Sequence, residues 1–408
     1  MNMQVNSPIL RFPGNIEPWR QCLLSDVTTK VTSGSRDWAQ YYSDHGDLFI
    51  RLTNLPKKGI SLLLHDLKYV ELPTKTSEGK RTQLEAGDIL ISITAELGKI
   101  GWIPPHFGTA YINQHTALVR VQQSTESKFV AYQLSTSNSN IRINRLNDSG
   151  AKAGLNLSTV RSLQLNMPSL LEQQKIAAFL STVDNKIQQL QRKKELLEQY
   201  KKGIMQKLFS QEIRFKQENG KDYPDWEECE LGKFLEYKSE RNTDSHQDLV
   251  LSVNNKRGFI TQLEQFGGHS VASSDNRNYK IVRRNDFAYN PSRINVGSIA
   301  RLKKHDGGIV SPMYVVFSLT TELNNEFFEN LYETHYFKHL IKVGCSGSVR
   351  DSLNYIDLAA FKLCLPKRKE QERIALFLST LIKKISSVQN LLNSTSNFKK
   401  GLLQQMFA

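Results

Sequence analysis

Cysteine is scarce in this chain. Four are present among 408 residues. Cys22, Cys229, Cys345 and Cys364 lie far apart, with no C-x-x-C pair among them. That spacing argues against a disulfide framework and against a thiolate zinc site, and buried, reduced thiols are the expectation. The nine histidines show no metal-ligand spacing either, so no metal is expected on this chain. Long apolar runs are also missing. With no stretch of about 18 apolar residues, no membrane span is expected. The first eight residues lack a charged n-region and an apolar h-region, so a signal peptide is not expected and a cytoplasmic location is. No G-x-x-x-x-G-K-[S/T] occurs, which argues against ATP hydrolysis by this chain.

What the sequence has in surplus is positive charge. Lysine and arginine number 54 against 40 acids, a net charge of +14, and the pI is near 9.4. An excess of that size favours a polyanionic partner, nucleic acid first. Between Arg277 and Lys304 eight basic residues face one acid, Asp286. Between Arg192 and Lys216 eight face three acids.

The chain also repeats itself. Shifted by 198 residues, the stretch from Pro168 to Ser210 meets Pro366 to Ala408 with 17 of 43 positions identical. Average composition gives about two or three. Weaker echoes run backward. Gly87-Asp88-Ile89 meets Asn285-Asp286-Phe287, and Leu155-Asn156 meets Leu353-Asn354. With a different shift, Trp19 meets Trp226. Each copy therefore has a divergent front and a retained tail.

The tails read as heptads. Ile176, Leu180, Val183, Ile187, Leu190, Lys194, Leu197, Lys201, Ile204 and Leu208 alternate steps of four and three. So do Ile374, Leu378, Leu381, Ile385, Val388, Leu392, Thr395, Lys399, Leu402 and Met406. A sustained 3.5-residue period keeps one apolar seam toward one partner, as in a coiled coil. Pro168 and Pro366 precede the helices, and acids (Glu172; Glu370 and Glu372) suit the positive helix end. Two seams of matched length are expected to pair antiparallel within the chain, along a rod of about 52 Å. Packing of each helix on its own domain, or pairing between two chains, are the alternatives.

The fronts read as mixed α+β, with strands at Asp47–Arg51, Asp88–Thr94, Thr116–Val121, Asp286–Tyr289 and Tyr314–Ser318. Helices are expected at Phe129–Leu134 and Glu326–Ile341. The fold class is α+β: two similar globular domains separated by two long antiparallel helices, with approximate two-fold symmetry. The boundaries are 1–165, first helix 166–211, second domain 212–363 and second helix 364–408. Polar and cationic loops supply candidate DNA contacts: Ser35, Arg36, Lys99, Gln114, His115 and Lys152 in the first domain. In the second they are Asn254, Lys256, Arg257, Arg277, Asn278, Tyr279, Ser292, Arg293 and Arg350. Arginine suits guanine, asparagine and glutamine suit adenine, and serine and lysine suit phosphate.

The pattern resembles the specificity subunit of type I restriction-modification enzymes. The resemblance covers essentially the whole chain. Its sharpest motifs are Met167-Pro168 leading to Glu172-Gln173 and Ile176, and Leu365-Pro366 leading to Glu370-Gln371 and Ile374. Leu10-Arg11-Phe12-Pro13 before Trp19, and Lys-Lys-Gly followed by a terminal Phe in each tail, add to it. The second tail departs from the pattern between Ser386 and Asn397, where Ser, Asn and Thr replace charged residues. The resemblance implies that each domain is a target-recognition domain reading half of a split target in double-stranded DNA. It implies that the helices set the spacing and dock methyltransferase subunits, two of them, and that restriction and translocase subunits join. S-adenosylmethionine, Mg and ATP then belong to the partner subunits and none to this chain. Asn290-Pro291-Ser292-Arg293 falls short of the [D/N/S]-P-P-aromatic motif that grips a flipped adenine. Pro224-Asp225 followed by Glu228 lacks the lysine of a nuclease centre. A self-contained DNA-modifying enzyme and a coiled-coil scaffold are the competing readings.

Overall fold

A computed structural model describes residues 8–73, 79–147, 154–265, 276–345 and 352–407. The chain forms two compact units. One takes residues 1–191 with 390–408, and the other takes 192–389. The unit boundaries fall inside the two long helices, so each unit owns half of each.

In the first unit β1 (Arg20–Leu23) is followed by β2 (Thr28–Ser33), β3 (Ile89–Ser92), β4 (Ile100–Trp102) and β5 (Thr116–Val121). Strands β2, β5, β3 and β4 lie in that order in one antiparallel sheet. Helices α1 (Ser127–Leu134), α2 (Ser137–Arg145) and α3 (Leu157–Arg161) follow, then β6 (Gln164–Met167), which pairs with β1. The helix α4 (Leu170–Phe209) starts there. The second unit repeats this order. It has β7 (Glu227–Glu230), β8 (Leu235–Lys238), β9 (Phe287–Tyr289), β10 (Ile299–Arg301) and β11 (Val315–Leu319). Then come α5 (Asn325–Leu331), α6 (His335–Gly344), α7 (Tyr355–Ala359), β12 (Lys362–Leu365) and α8 (Arg368–Met406). The sheet order β8, β11, β9, β10 is the same.

From β3 onward the two units keep the 198-residue offset almost element for element, although few side chains match there. The divergence sits between the second strand and the third, and between the fourth and the fifth. There the first unit builds a sheet from Tyr42–Ser43, Lys68–Val70, Asp47–Ile50 and Ala110–Ile112. The second unit has a hairpin, Leu251–Asn254 with Gly258–Thr261, and a pair, Lys280–Arg283 with Gly307–Val310.

One expected element divides in two. The stretch from Glu326 to Ile341 is α5 and α6, because Thr334 caps a new helix by accepting from the Phe337 N–H at 3.2 Å. Thr136 does the same for Ser139 in the first unit. A threonine at the N-cap satisfies a donor that the preceding helix cannot.

The retained residues now have places. Glu172 takes a two-pronged bond from Arg11, at 2.9 and 2.7 Å, and Glu370 takes one from Arg214, at 3.1 and 2.8 Å. Gln173 donates to the Pro168 carbonyl and accepts from the Glu126 N–H, while Gln371 does the same with Pro366 and Asn324. These side chains thus weld the helix start to the globular part, which goes beyond suiting a helix dipole. Trp19, Phe129 and Phe407 form one ring cluster, and Trp226, Phe327 and Phe209 form its counterpart. The Leu10 N–H donates to the Gln405 carbonyl at 3.0 Å, as the Ile213 N–H does to Lys207 at 3.3 Å.

Every seam position of both helices is buried or half-buried. In the first unit Ile176, Leu180 and Val183 share a core with Leu402 and Met406, and also with Phe129 and Leu165. In the second, Leu208 shares one with Ile374, Leu378 and Leu381. The helices therefore pack on each other and on their own globular parts at once. Cys364 is exposed and Cys229 half-buried, whereas Cys22 and Cys345 are buried as thiols were expected to be. Strand alternation exposes Cys364, since Cys364 and Leu363 face opposite ways on β12.

The Gly87-Asp88 and Asn285-Asp286 echo is a turn device. Gly87 and Asn285 both adopt positive φ, 90° and 74°. Asp88 accepts from the Glu85 N–H and Asp286 from the Arg283 N–H, each at 2.7 Å. Asp88 is also paired with Arg120 at 2.8 Å, but serine stands at the matching position, Ser318. Burial therefore holds the Asp286 carboxyl above the ordinary carboxylate range, and the Arg283 N–H offsets that only in part. The Asp88→Asn variant should cost about 2–3 kcal/mol, because Arg120 loses its buried partner. Asp286 behaves oppositely. Its raised pKa favours the protonated form in the folded state, so its contribution is fullest below about pH 4 and falls as pH rises through the raised value. Asp286→Asn should thus leave stability at pH 7 unchanged or higher, and gain nothing at pH 3. Denaturant titrations at both pH values check it, and a loss at pH 7 matching that of Asp88→Asn sinks the distinction.

Candidate nucleic-acid interface

In each unit one end of the four-stranded sheet gathers polar segments. In the first unit this is the end where β2 and β3 finish and β4 and β5 begin. Just past β2 the chain crosses the segment before β5. Ser35 and Asn113 form a parallel bridge, and the Gln114 N–H donates to the Ser35 carbonyl at 3.1 Å. Gly34 makes the crossing possible, since a Cβ there would lie 2.2 Å from the Ile112 carbonyl oxygen. His115 sits between Thr94, at 2.8 Å from Nδ1, and Gln114, at 3.1 Å from Nε2. Its backbone N–H is held by the Asn113 side chain. Ser35, Gln114 and His115 thus form one bonded patch, half-buried, with exposed Arg36 beside it.

Lys99 departs from the expectation of a DNA contact. Its side chain is 11% exposed and its ammonium pairs with Glu96 at 3.1 Å, so its charge is already engaged in the turn between β3 and β4. Lys152 and Arg350 lie outside the described residues.

The second unit has the corresponding end. After β9, Asn290 caps a short 3-10 helix, Pro291–Val296, by accepting from the Ser292 N–H, and Ser292 and Arg293 are exposed. The hairpin tip lies alongside, where Asn254 Oδ1 accepts from the Lys256 and Arg257 N–H groups. The Ser298 hydroxyl bonds the Val253 carbonyl at 3.0 Å, and Asn255 approaches Gly297. Tyr314 joins a third segment, since its carbonyl takes the Lys280 ammonium at 2.7 Å and its hydroxyl takes the Val253 N–H at 3.4 Å. Arg277 and Asn278, both exposed, and half-buried Tyr279 lead into Lys280. All three candidate segments of this unit therefore meet at one sheet end.

Two corrections concern charge. The run from Arg277 to Lys304 looks strongly basic in sequence, yet distant acids neutralise much of it. Arg283 pairs with Glu240, Arg284 with Asp306, Arg301 with Glu326 and Glu329, and Lys303 with Glu329. Glu240 is held below the usual carboxylate range by Arg283. In the run from Arg192 to Lys216 most charges likewise pair locally, as Lys207 with Glu212 and Lys216 with Asp222. Sequence reasoning also missed Arg241, which donates to the Asn278 carbonyl at 3.3 Å beside the Arg277 segment. Its proximity comes from a bridge to Lys280 across some forty residues, for which no local signal exists.

Residues 41–199, and again 223–395, match the family described as type I restriction modification DNA specificity domain. A Methanocaldococcus jannaschii protein named as the MjaX specificity subunit of a type I restriction enzyme is 28% identical over 328 residues, 76% of this chain and 74% of that one. The S subunit of a type I restriction-modification system from M. genitalium matches in fold, with a TM-score of 0.62 at 15% identity over 98% of this chain and 99% of that chain. A structure titled for complex assembly and conformational transition of the type I R-M system matches at 0.52, with 13% identity and the same coverage.

Proposed function

The chain belongs to the type I restriction-modification DNA specificity family, as a specificity subunit with two target-recognition domains, and from that premise we propose how its parts divide the work. The sheet end of each unit is the base-reading surface. In the first unit the readers are Ser35, Arg36, Gln114 and His115. In the second they are Asn254, Lys256, Arg257, Arg277, Asn278, Tyr279, Ser292 and Arg293, with Arg241 added. One observation carries this reading: two units share a strand order and a 198-residue offset, yet present different side chains at the same sheet end. A common scaffold with exchanged polar groups suits two half-sites of different sequence, because base edges are told apart by donor and acceptor pattern. Exposed arginines and lysines at the rim suit phosphate.

The long helices act as the spacer and as the docking surface for two methyltransferase subunits, with restriction and translocase subunits joining the assembly. The chain itself does no chemistry. S-adenosylmethionine, Mg and ATP are held by its partners. Among the described residues no helix is long and apolar enough to cross a membrane.

Sequencing that detects N6-methyladenine tests the reading in cells with and without this gene. Methylation at one two-part motif disappears with the gene. An unchanged methylome refutes the proposal. Turnover by the purified chain alone, given DNA and methyl donor, would instead favour a self-contained enzyme.

A further inference from the structure

A cavity of about 880 Å³ opens in the second unit beside the last turns of α4, the start of α6 and the first half of α8. Phe209, Trp226, Leu331 and Ile385 give it apolar walls. Lys201, a seam residue, also lines it, yet Lys201 has no hydrogen bond or ion pair with any described residue. The two acids on the rim are engaged elsewhere: Glu198 pairs with Lys194 at 3.5 Å and Glu333 with Lys338 at 2.7 Å. Burial lowers the Lys201 pKa, and Glu333 and Glu198 counter that only in part.

The first unit shows what is missing. Its matching lysine, Lys399, is paired with Asp184 and lies over the Tyr132 ring, and the Tyr132 hydroxyl donates to Asp184 at 2.8 Å. At the 198-residue offset these partners become Ile382 and Asn330. The second unit therefore keeps the cation, loses the carboxylate and the phenol ring, and has apolar space beside it.

We propose that this cavity receives an acidic peptide segment of the methyltransferase subunit, its carboxylate on Lys201 and a neighbouring apolar side chain against Phe209 and Trp226. The inference rests on the reading that the helices dock that subunit. Charge complementarity and the sister unit define the occupant: an anion where Asp184 stands, with an apolar or aromatic body where Tyr132 stands. A half-buried cation binds such a carboxylate more firmly than a fully exposed one, because less solvent screens the pair. The two units then offer a methyltransferase unlike surfaces, since the first supplies its own carboxylate.

The test titrates the full chain with its cognate methyltransferase subunit. Ile382→Asp supplies an internal carboxylate like Asp184. Lys201→Met removes the cation and keeps the stem, and Lys201→Gln replaces it should the methionine variant lose cooperative melting. Each is expected to weaken methyltransferase binding at least tenfold while DNA binding stays at the wild-type level. If the wild-type chain binds no methyltransferase, the docking reading itself fails. If the wild type binds and either folded variant binds equally well, the cavity proposal is overturned.

Discussion

Replacing Glu172 by alanine lowers the melting temperature of the chain by roughly 6–12 °C, the largest stability effect expected of a single substitution here. The carboxylate is 2% exposed and Arg11 is 13% exposed, so the pair is largely shielded from water. Removing one partner leaves the guanidinium without its hydrogen-bonded anion in a site that solvates it poorly, a loss of about 3 kcal/mol. The same holds for Glu370, with a smaller drop, because Arg214 keeps Asp225 at 3.4 Å and the carbonyls of Tyr223 and Pro224. Trp226 also donates to Glu370, at 3.2 Å, so its indole loses a partner too. Calorimetry on the purified chain measures both. A shift under about 2 °C for Glu172→Ala contradicts the anchoring role.

Introducing one methyl group at Gly34 is expected to weaken recognition of one half of the DNA target by about tenfold or more and to spare the other. The added Cβ meets the Ile112 carbonyl oxygen at 2.2 Å and the Asn113 carbonyl carbon at 2.3 Å. Those are backbone atoms, which cannot rotate away. The Ser35–Asn113 bridge must open, and Ser35, Gln114 and His115 lose their shared placement. Overpacking of this kind costs about 1–3 kcal/mol, and about 1.4 kcal/mol is tenfold in affinity. Methylome sequencing of cells carrying Gly34→Ala should show the first unit's half-site relaxed or lost. An unchanged motif, with the variant chain folded, would remove this sheet end from the recognition surface.

The two effects sit on residues of opposite legibility. Glu172 and Glu370 stood out in the sequence because they recur at a fixed offset, and the repeat also marked Trp19, Trp226 and the terminal phenylalanines. Recurrence reported that these positions share a task. It did not report which task, since the arginines that complete the pairs lie 161 and 156 residues away. Gly34 carried no signal at all. A glycine in a polar loop is ordinary, and only the crossing of Ser35 against Asn113 explains it. Charge was misleading in the other direction. The window from Arg277 to Lys304 looked like a bare basic patch because Glu240, Glu326 and Glu329, which engage it, lie outside the window.

By itself the sequence determined what depends on local periodicity and on self-comparison. It set the 3.5-residue seam, the duplication and the α+β fronts, because hydrophobic spacing along a helix or strand follows from backbone geometry alone, whereas the helices, at 40 and 39 residues, run longer than the rod of about 52 Å read from the heptads. Tertiary structure alone decided which cations remain unengaged, which loops meet at a sheet end, and why Lys201 lacks the carboxylate that Lys399 has. Those outcomes depend on partners brought together from separate parts of the chain, as Ser35 with Asn113, Arg283 with Glu240 and Lys399 with Asp184, and Coulomb and steric terms act through space with no regard for position in the chain.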